Sequence, residues 1–248
     1  MRTNKTDFTI YKKFKFEFPP IAVKFMLERP KGITKSTAKL ALCEMIREAQ
    51  RNKKPFYIDK DNEDCTGTIP MGWMEMPVYV ESGQLGKGWE LFEEPRADAK
   101  IYRNVPKFSK GIVKYIIYSK LDALTFDPDL LFIMGDTKQA EIILRAMTYS
   151  TGELFESKSA NVLACAWLYV YPYVTGKVNF TVTGLSFGTK SRQTFPEGKM
   201  LISIPYNWIP VITENLVKMK WVLPAYTYGR NKFLEVCHEL QANIPKVP

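Results

Sequence analysis

Apolar and polar positions follow two periods along this chain, and the changes of period mark its elements. Between Thr9 and Phe18, aromatic residues interleave loosely with lysines: Tyr11, Phe14, Phe16 and Phe18 against Lys12, Lys13 and Lys15. The chain then passes Pro19-Pro20 into the apolar run Ile21–Phe25, which predicts a strand. Pro30 and Gly32 signal a turn, after which Thr34 or Ser36 is placed to cap a helix reaching about Arg51. Within it Leu42, Met45, Ile46 and Ala49 recur at the spacing of one buried helical face, with Cys43 beside that face.

Phe56–Ile58 predicts a short strand, followed by an acidic stretch (Asp59, Asp61, Glu63, Asp64) and then Cys65-Thr-Gly67. Gly83, Gly86 and Gly88 predict a loop before a short helix. Ile112–Tyr118 and the continuous apolar run Leu130–Met134 predict strands, the latter central in a sheet. Thr137–Met147 predicts an amphipathic helix with Ala140, Ile143, Leu144 and Met147 on one side. Residues 159–171 fit either state: the length favours helix, the tyrosines and valines favour strand. Val178–Thr183 and Met200–Ile204 read as strands, and Trp208–Met219 as a helix with Pro210 in its first turn. A last helix covers roughly residues 231–241.

Strands and helices are thus mixed without a strict βαβ rhythm. The pattern predicts an α+β fold: a single mixed-sheet domain with flanking helices over residues 19–248, preceded by a basic arm over residues 1–18. A chain of 248 residues can bury a substantial core. Its longest apolar candidate, Asn161–Val174, contains Pro172 and falls short of the roughly 18 to 20 residues a bilayer span needs. Residues 1–15 lack the apolar stretch of a secretory signal, so the expected location is the cytoplasm.

Charge adds one asymmetry. Residues 1–40 hold ten Lys or Arg against three acids, a balance of +7, which leaves +2 for all the rest of the +9 chain. Such an arm suits either a solvated surface or an interaction module that meets nucleic acid or an acidic partner. The lysines form no unbroken basic run, and no RNA-binding consensus is present.

The candidate chemistry lies in the cysteines. Four in this length is far below a disulfide scaffold, and none of the spacings is C-x-x-C. Cys43, Cys65 and Cys165 stand far apart among small or glycine-bearing neighbours, which suggests a site assembled by the fold. Each taken alone suits plain packing. Together they suit a soft-metal centre, zinc or iron–sulfur, with Cys43, Cys65 and Cys165 as ligands. Without a metal, clustered thiolates repel and stay protonated. Cys65 precedes Thr-Gly67, where backbone N–H groups can face a ligand, while Glu63 and Asp64 raise a thiol's proton affinity. Lys24, in an apolar strand, is either an outward-facing residue or a cation for an anionic ligand; Lys190, Arg192 and Arg230 near glycines can play the same part. His238 is the sole histidine and adjoins Cys237 on one helix, where neighbours point about 100° apart; the two do not form one site, and neither Ser-His-Asp nor Cys-His catalysis is expected. Phosphate-loop and H-E-x-x-H motifs are absent.

These segments resemble the domain-of-unknown-function family 169 of anaerobic bacteria and archaea. The resemblance runs through Pro20-Ile-Ala-Val-Lys24-Phe, the helix with Cys43, Tyr57, and Asp64-Cys65-Thr-Gly67. It continues in Lys114-Tyr-Ile-Ile-Tyr118, Asp127-Pro-Asp-Leu-Leu-Phe-Ile-Met-Gly135, Ala164-Cys165-Ala, Tyr171-Pro-Tyr-Val-Thr-Gly176 and Ile204-Pro205-Tyr. It implies a shared architecture and cysteines at the positions of Cys43, Cys65 and Cys165. Where relatives carry a glycine pair after the second of these, this chain has Gly67-Thr68, and Thr183-Gly184 stands where relatives can carry a further cysteine.

The expected function is binding of a small ligand or cofactor, anionic in character, at a site formed by Cys43, Cys65, Gly67, Cys165 and Lys24, with redox or metal chemistry open. A thiol-dependent enzyme using Cys65 and a binding module working through the basic arm are the two alternatives.

Overall fold

A computed structural model describes residues 6–243. The basic arm's Arg2 and Lys5 lie outside the described residues. Seven strands form one mixed sheet: β1 (Phe18–Met26), β2 (Thr34–Lys35), β3 (Phe56–Ile58), β4 (Tyr115–Lys120), β5 (Leu130–Gly135), β6 (Asn179–Val182) and β7 (Met200–Pro205). Their order across the sheet is β2-β3-β4-β1-β5-β7-β6, and every pair is antiparallel except β2 with β3. The helices are α1 (Leu42–Arg51), α2 (Val78–Glu81), α3 (Gln84–Gly88), α4 (Pro95–Arg103), α5 (Thr137–Thr148), α6 (Tyr171–Thr175), α7 (Phe187–Ser191), α8 (Ile209–Lys218) and α9 (Pro224–Ala242). The fold is α+β, as the mixed pattern predicts.

β1 lies at the centre, and its alternation divides the molecule. Ile21 and Val23 join Tyr118, Leu130, Phe132 and Leu201 on one face, under α1 and the segment around Cys165. On the opposite face, Leu131, Ile133, Ile202 and Ile204 are covered by α5, α8 and a 3-10 turn, Thr9–Phe14. Ile10, Tyr11 and Phe14 of that turn are buried, so residues 9–14 are built into the second core while Lys12, Lys13 and Lys15 stay exposed. The strand β1 starts three residues before the apolar run. Its register against β5 shifts between Phe18 and Ile21, where Pro19 and Pro20 offer no N–H to the ladder.

Two other details differ from the sequence pattern. The helix expected from Thr34 or Ser36 begins only at Leu42. Asn62 explains the delay: its Nδ2 donates to the carbonyls of Ser36 and Ala38 at 2.9 and 2.8 Å, and its own carbonyl accepts Leu40 N–H at 2.9 Å. These bonds hold residues 36–40 out of the helix. The cap is then made from inside, by Glu44 Oε2 accepting Ala41 N–H at 2.9 Å. The glycine-rich stretch is not a loop: Gly86 and Gly88 lie in α3, and Gly83 precedes it at φ +79°, with Pro95 O so close that a Cβ would stand 1.9 Å away.

Residues 159–171 resolve as helical from Ala164, with a π-helical turn over Ala166–Val170 leading into α6. Pro172 cannot donate to the Leu168 carbonyl, and the wider turn accommodates that loss. This helix is buried between the sheet and the satellite helices α2 to α4, which pack Val80 and Tyr102 against Trp167 and Tyr171. Burial on all sides removes the periodicity from which its state would be read. Among the described residues, no helix is long and apolar enough to cross a membrane.

Candidate functional site

The three separated cysteines meet on one face of the sheet. Cys43 is the second residue of α1, and its helical position beside the Leu42, Met45, Ile46 face turns it into the first core. Cys165 immediately precedes the π-helical turn and is buried in the same core. Cys65 precedes a 3-10 turn, Thr66–Thr68, and packs half-buried against that core. All three are free thiols. Burial pushes the Cys43 thiol up to about 12, and negative charge on Cys65, Glu44 or Glu63 would raise it further. Cys165 is held well above the usual thiol range, again first by burial and then by Glu63 and the other two cysteines. Cys43 and Cys165 are therefore neutral thiols near neutral pH.

At the centre of this group is Glu63, whose significance the acidic stretch 59–64 conceals. Both carboxyl oxygens are fully buried and have no hydrogen-bond partner among the described residues. Burial, and then the charge of Asp64, pushes its pKa up to about 8. The backbone amides of Cys65, Leu42 and Gly67 point toward it and pull the value down in part, although none closes to hydrogen-bond geometry. Glu63 thus holds its proton to higher pH than an ordinary carboxyl, and the groups it faces are three backbone amides and no partner side chain. Gly67 makes room for it: a Cβ there would stand 2.6 Å from Glu63 Oε1 and 3.1 Å from Leu42 Cδ1. The close backbone approach expected at Gly67 is an approach to Glu63.

A loop from the far end of the chain covers the group. Thr194, which is buried, places its Oγ1 3.8 Å from Cys43 Sγ. Arg192 spans Glu44 Oε2 at 3.0 Å and Asp64 Oδ1 at 3.4 Å, and its guanidinium faces the Cys65 thiol. Beneath, Tyr118 Oη donates to Tyr169 Oη at 3.2 Å, and Tyr169 Oη donates to the Leu42 carbonyl at 2.7 Å. This chain of bonds fixes the start of α1, and with it Cys43, to the π-helical turn and β4. Arg192 was legible as a cation near a glycine. Thr194 and the two tyrosines carried no signal, since a hydroxyl's burial is decided by chain segments remote in sequence.

Lys24 is placed elsewhere. It alternates with Val23 to the other side of β1, donating to the Asp127 carbonyl at 2.9 Å and lying 3.5 Å from Asp129 Oδ1. Cys237 and His238 are on α9, which has no buried residue. Arg230 is exposed on the same helix.

Two clefts flank these elements. The larger, about 720 Å³, has a mainly apolar wall that includes Phe8, Phe16, Pro20 and Ile209, with Lys12 and Lys15 among its polar residues; no cysteine lines it. The smaller, about 520 Å³, lies between α1 and the 184–197 loop and includes Thr194, the residue that touches Cys43. No cysteine lines this cleft either; what singles it out is Thr194, which joins its wall to Cys43.

Among the described residues, no group of three or more His, Cys, Asp or Glu side chains converges closely enough to hold a metal ion. A zinc or iron–sulfur group would require the thiols to rearrange, and the neutral Cys43 and Cys165 to lose protons.

Residues 9–215 match the sequence profile of a family described as an uncharacterised ArCR group, the domain-of-unknown-function family 169. The match takes in Cys43, Glu63, Cys65, Cys165, Arg192 and Thr194 and stops before α9. No curated protein and no solved structure matches the chain.

Proposed function

We propose, for a chain that belongs to the domain-of-unknown-function family 169, that it binds a small ligand or cofactor at the site formed by Cys43, Cys65, Cys165 and Glu63. The observation that carries this reading is the Glu63 carboxyl: both oxygens buried, faced by the backbone amides of Cys65, Leu42 and Gly67 but by no side-chain partner, and set among three free thiols. A purely structural core gains nothing from such a group, because an apolar residue of similar size would avoid its desolvation. A ligand that hydrogen-bonds Glu63 would recover that cost on binding. Gly67 keeps the space for the carboxyl, and Arg192 holds the covering loop through Glu44 and Asp64.

Native mass spectrometry of protein purified without oxygen tests the proposal. The expected result is mass in excess of the chain, released on unfolding and absent from Cys65→Ser and Glu63→Gln. A bare chain mass, with both variants indistinguishable from it, would overturn the reading.

A second reading, thiol chemistry at Cys65, has one observation in its favour: Cys65 is the half-buried member of the three and faces a guanidinium. It predicts alkylation of Cys65 that slows when Arg192 is replaced by Gln. An unchanged rate would remove the support.

A further inference from the structure

The cleft beside the thiols carries a charge arrangement that the core does not require. Arg47 and Arg51 stand one turn apart on α1 and both line it, with Lys190 from the opposite wall. Like charges at this helical spacing repel. Burial, and then the charge of Arg51, holds the Arg47 guanidinium below its ordinary value. Among the described residues neither arginine has a carboxylate within ion-pair distance. Arg47 bonds Gln50 Oε1 at 2.5 Å and lies 4.2 Å over the Phe18 ring, which fixes its plane. Lys190 is 3.2 Å from Glu197, the one acid among the described residues that line the cleft, in a largely exposed pair, which leaves Arg47 and Arg51 as the cations without a carboxylate. Glu17, the next acid near Arg47, is 3.0 Å from Lys199.

We infer that this cleft binds the phosphate end of a phosphate-bearing small molecule, whose other end reaches the thiol site past Thr194. Two guanidinium forks match phosphate oxygens in bidentate geometry. A phosphate monoester carries close to two negative charges near neutral pH and would cancel the repulsion between Arg47 and Arg51. The cleft's roughly 520 Å³ falls in the range of small-molecule sites. Thr194 forms part of both the cleft wall and the Cys43 contact, which places the two sites side by side. The inference rests on the thiol site being a ligand site, but it concerns a separate set of residues.

Isothermal titration of the full chain with inorganic pyrophosphate at low salt tests it. Binding is expected in the wild type, weakened at least about tenfold in Arg47→Gln/Arg51→Gln and weakened in Arg51→Gln alone, a change at an exposed position that leaves the core untouched. Lys12→Gln/Lys15→Gln, in the other cleft, should bind like the wild type. No binding by the wild type, or equal binding by the arginine variants, would overturn the inference. Cys65→Ser separates it from the thiol reading. Pyrophosphate binding that survives this change, together with loss of the excess native mass, is the expected pattern. Loss of anion binding alone in the arginine variants, with the native mass unchanged, would show that the two sites hold different molecules and so also overturn the inference.

Discussion

Thr194 Oγ1 lies 3.8 Å from Cys43 Sγ across 151 positions of sequence. The contact closes the 184–197 loop over the start of α1 and decides which thiols reagents reach. Under native conditions alkylation is expected to be fast at Cys65 and Cys237, the half-buried pair, and slow at Cys43 and Cys165. Thr194→Ala should speed labelling of Cys43 and leave Cys165 slow. Peptide mapping after timed alkylation reads this directly, and equal rates at all four cysteines would contradict the placement.

Glu63 makes stability depend on pH in an unusual direction. Its carboxyl is pushed up to about 8 in the folded chain against an ordinary 4.5. Between these values the folded state keeps a proton that the unfolded state releases, so stability falls as pH rises through this window. Glu63→Gln removes the titration. Relative to the wild type it should gain stability from about pH 5 to about pH 8, on the order of 3 kcal/mol. Urea unfolding at both ends of the window checks the sign; parallel pH profiles would refute it.

Gly67→Ala should destabilise the protein by about 1–3 kcal/mol, because the new methyl group meets Glu63 Oε1 at 2.6 Å. Most of that loss should disappear when Glu63 is also shortened to Ala. A double-mutant cycle by thermal unfolding measures the coupling, and simple additivity would mean that the two residues do not share this space.

Tyr169→Phe leaves the Leu42 carbonyl and the Tyr118 hydroxyl without their buried partner. The expected cost is about 1–3 kcal/mol. Tyr118→Phe, which removes only the outer donor, should cost less. If the order of the two is reversed in chemical denaturation, the chain of bonds does not anchor α1.

The elements legible in the sequence are those whose environment is one-sided. α5 shows it: Asp136 Oδ1 accepts Gln139 N–H at 2.8 Å as a local cap, and one face is buried against the second core. Where a partner distant in sequence sets the conformation, the local pattern misleads. Ser36 is a good cap residue in a helical context, yet Asn62 bonds the Ser36 and Ala38 carbonyls and keeps them out of a helix. Gly83, Gly86 and Gly88 read as a loop, yet α3 forms because Gly86 N–H donates to the buried Asp98 Oδ2 at 2.9 Å. The helix holding Cys165 was ambiguous because apolar residues surround it on every side.

By itself the sequence determined the α+β class, a strand over Ile21–Phe25 that lies within β1, the membership carried by residues 9–215, and the three cysteines as the place to look. These follow from local periodicity and residue type, which every short window of the chain contains. Only the tertiary structure decided that the three thiols share one core, that Lys24 pairs with Asp129 on the other side of β1, and that the Glu63 carboxyl oxygens are buried beside those thiols. Burial and the electrostatics that follow from it are properties of which surfaces meet. That is fixed by sheet order and loop closure, and no local stretch of sequence encodes either.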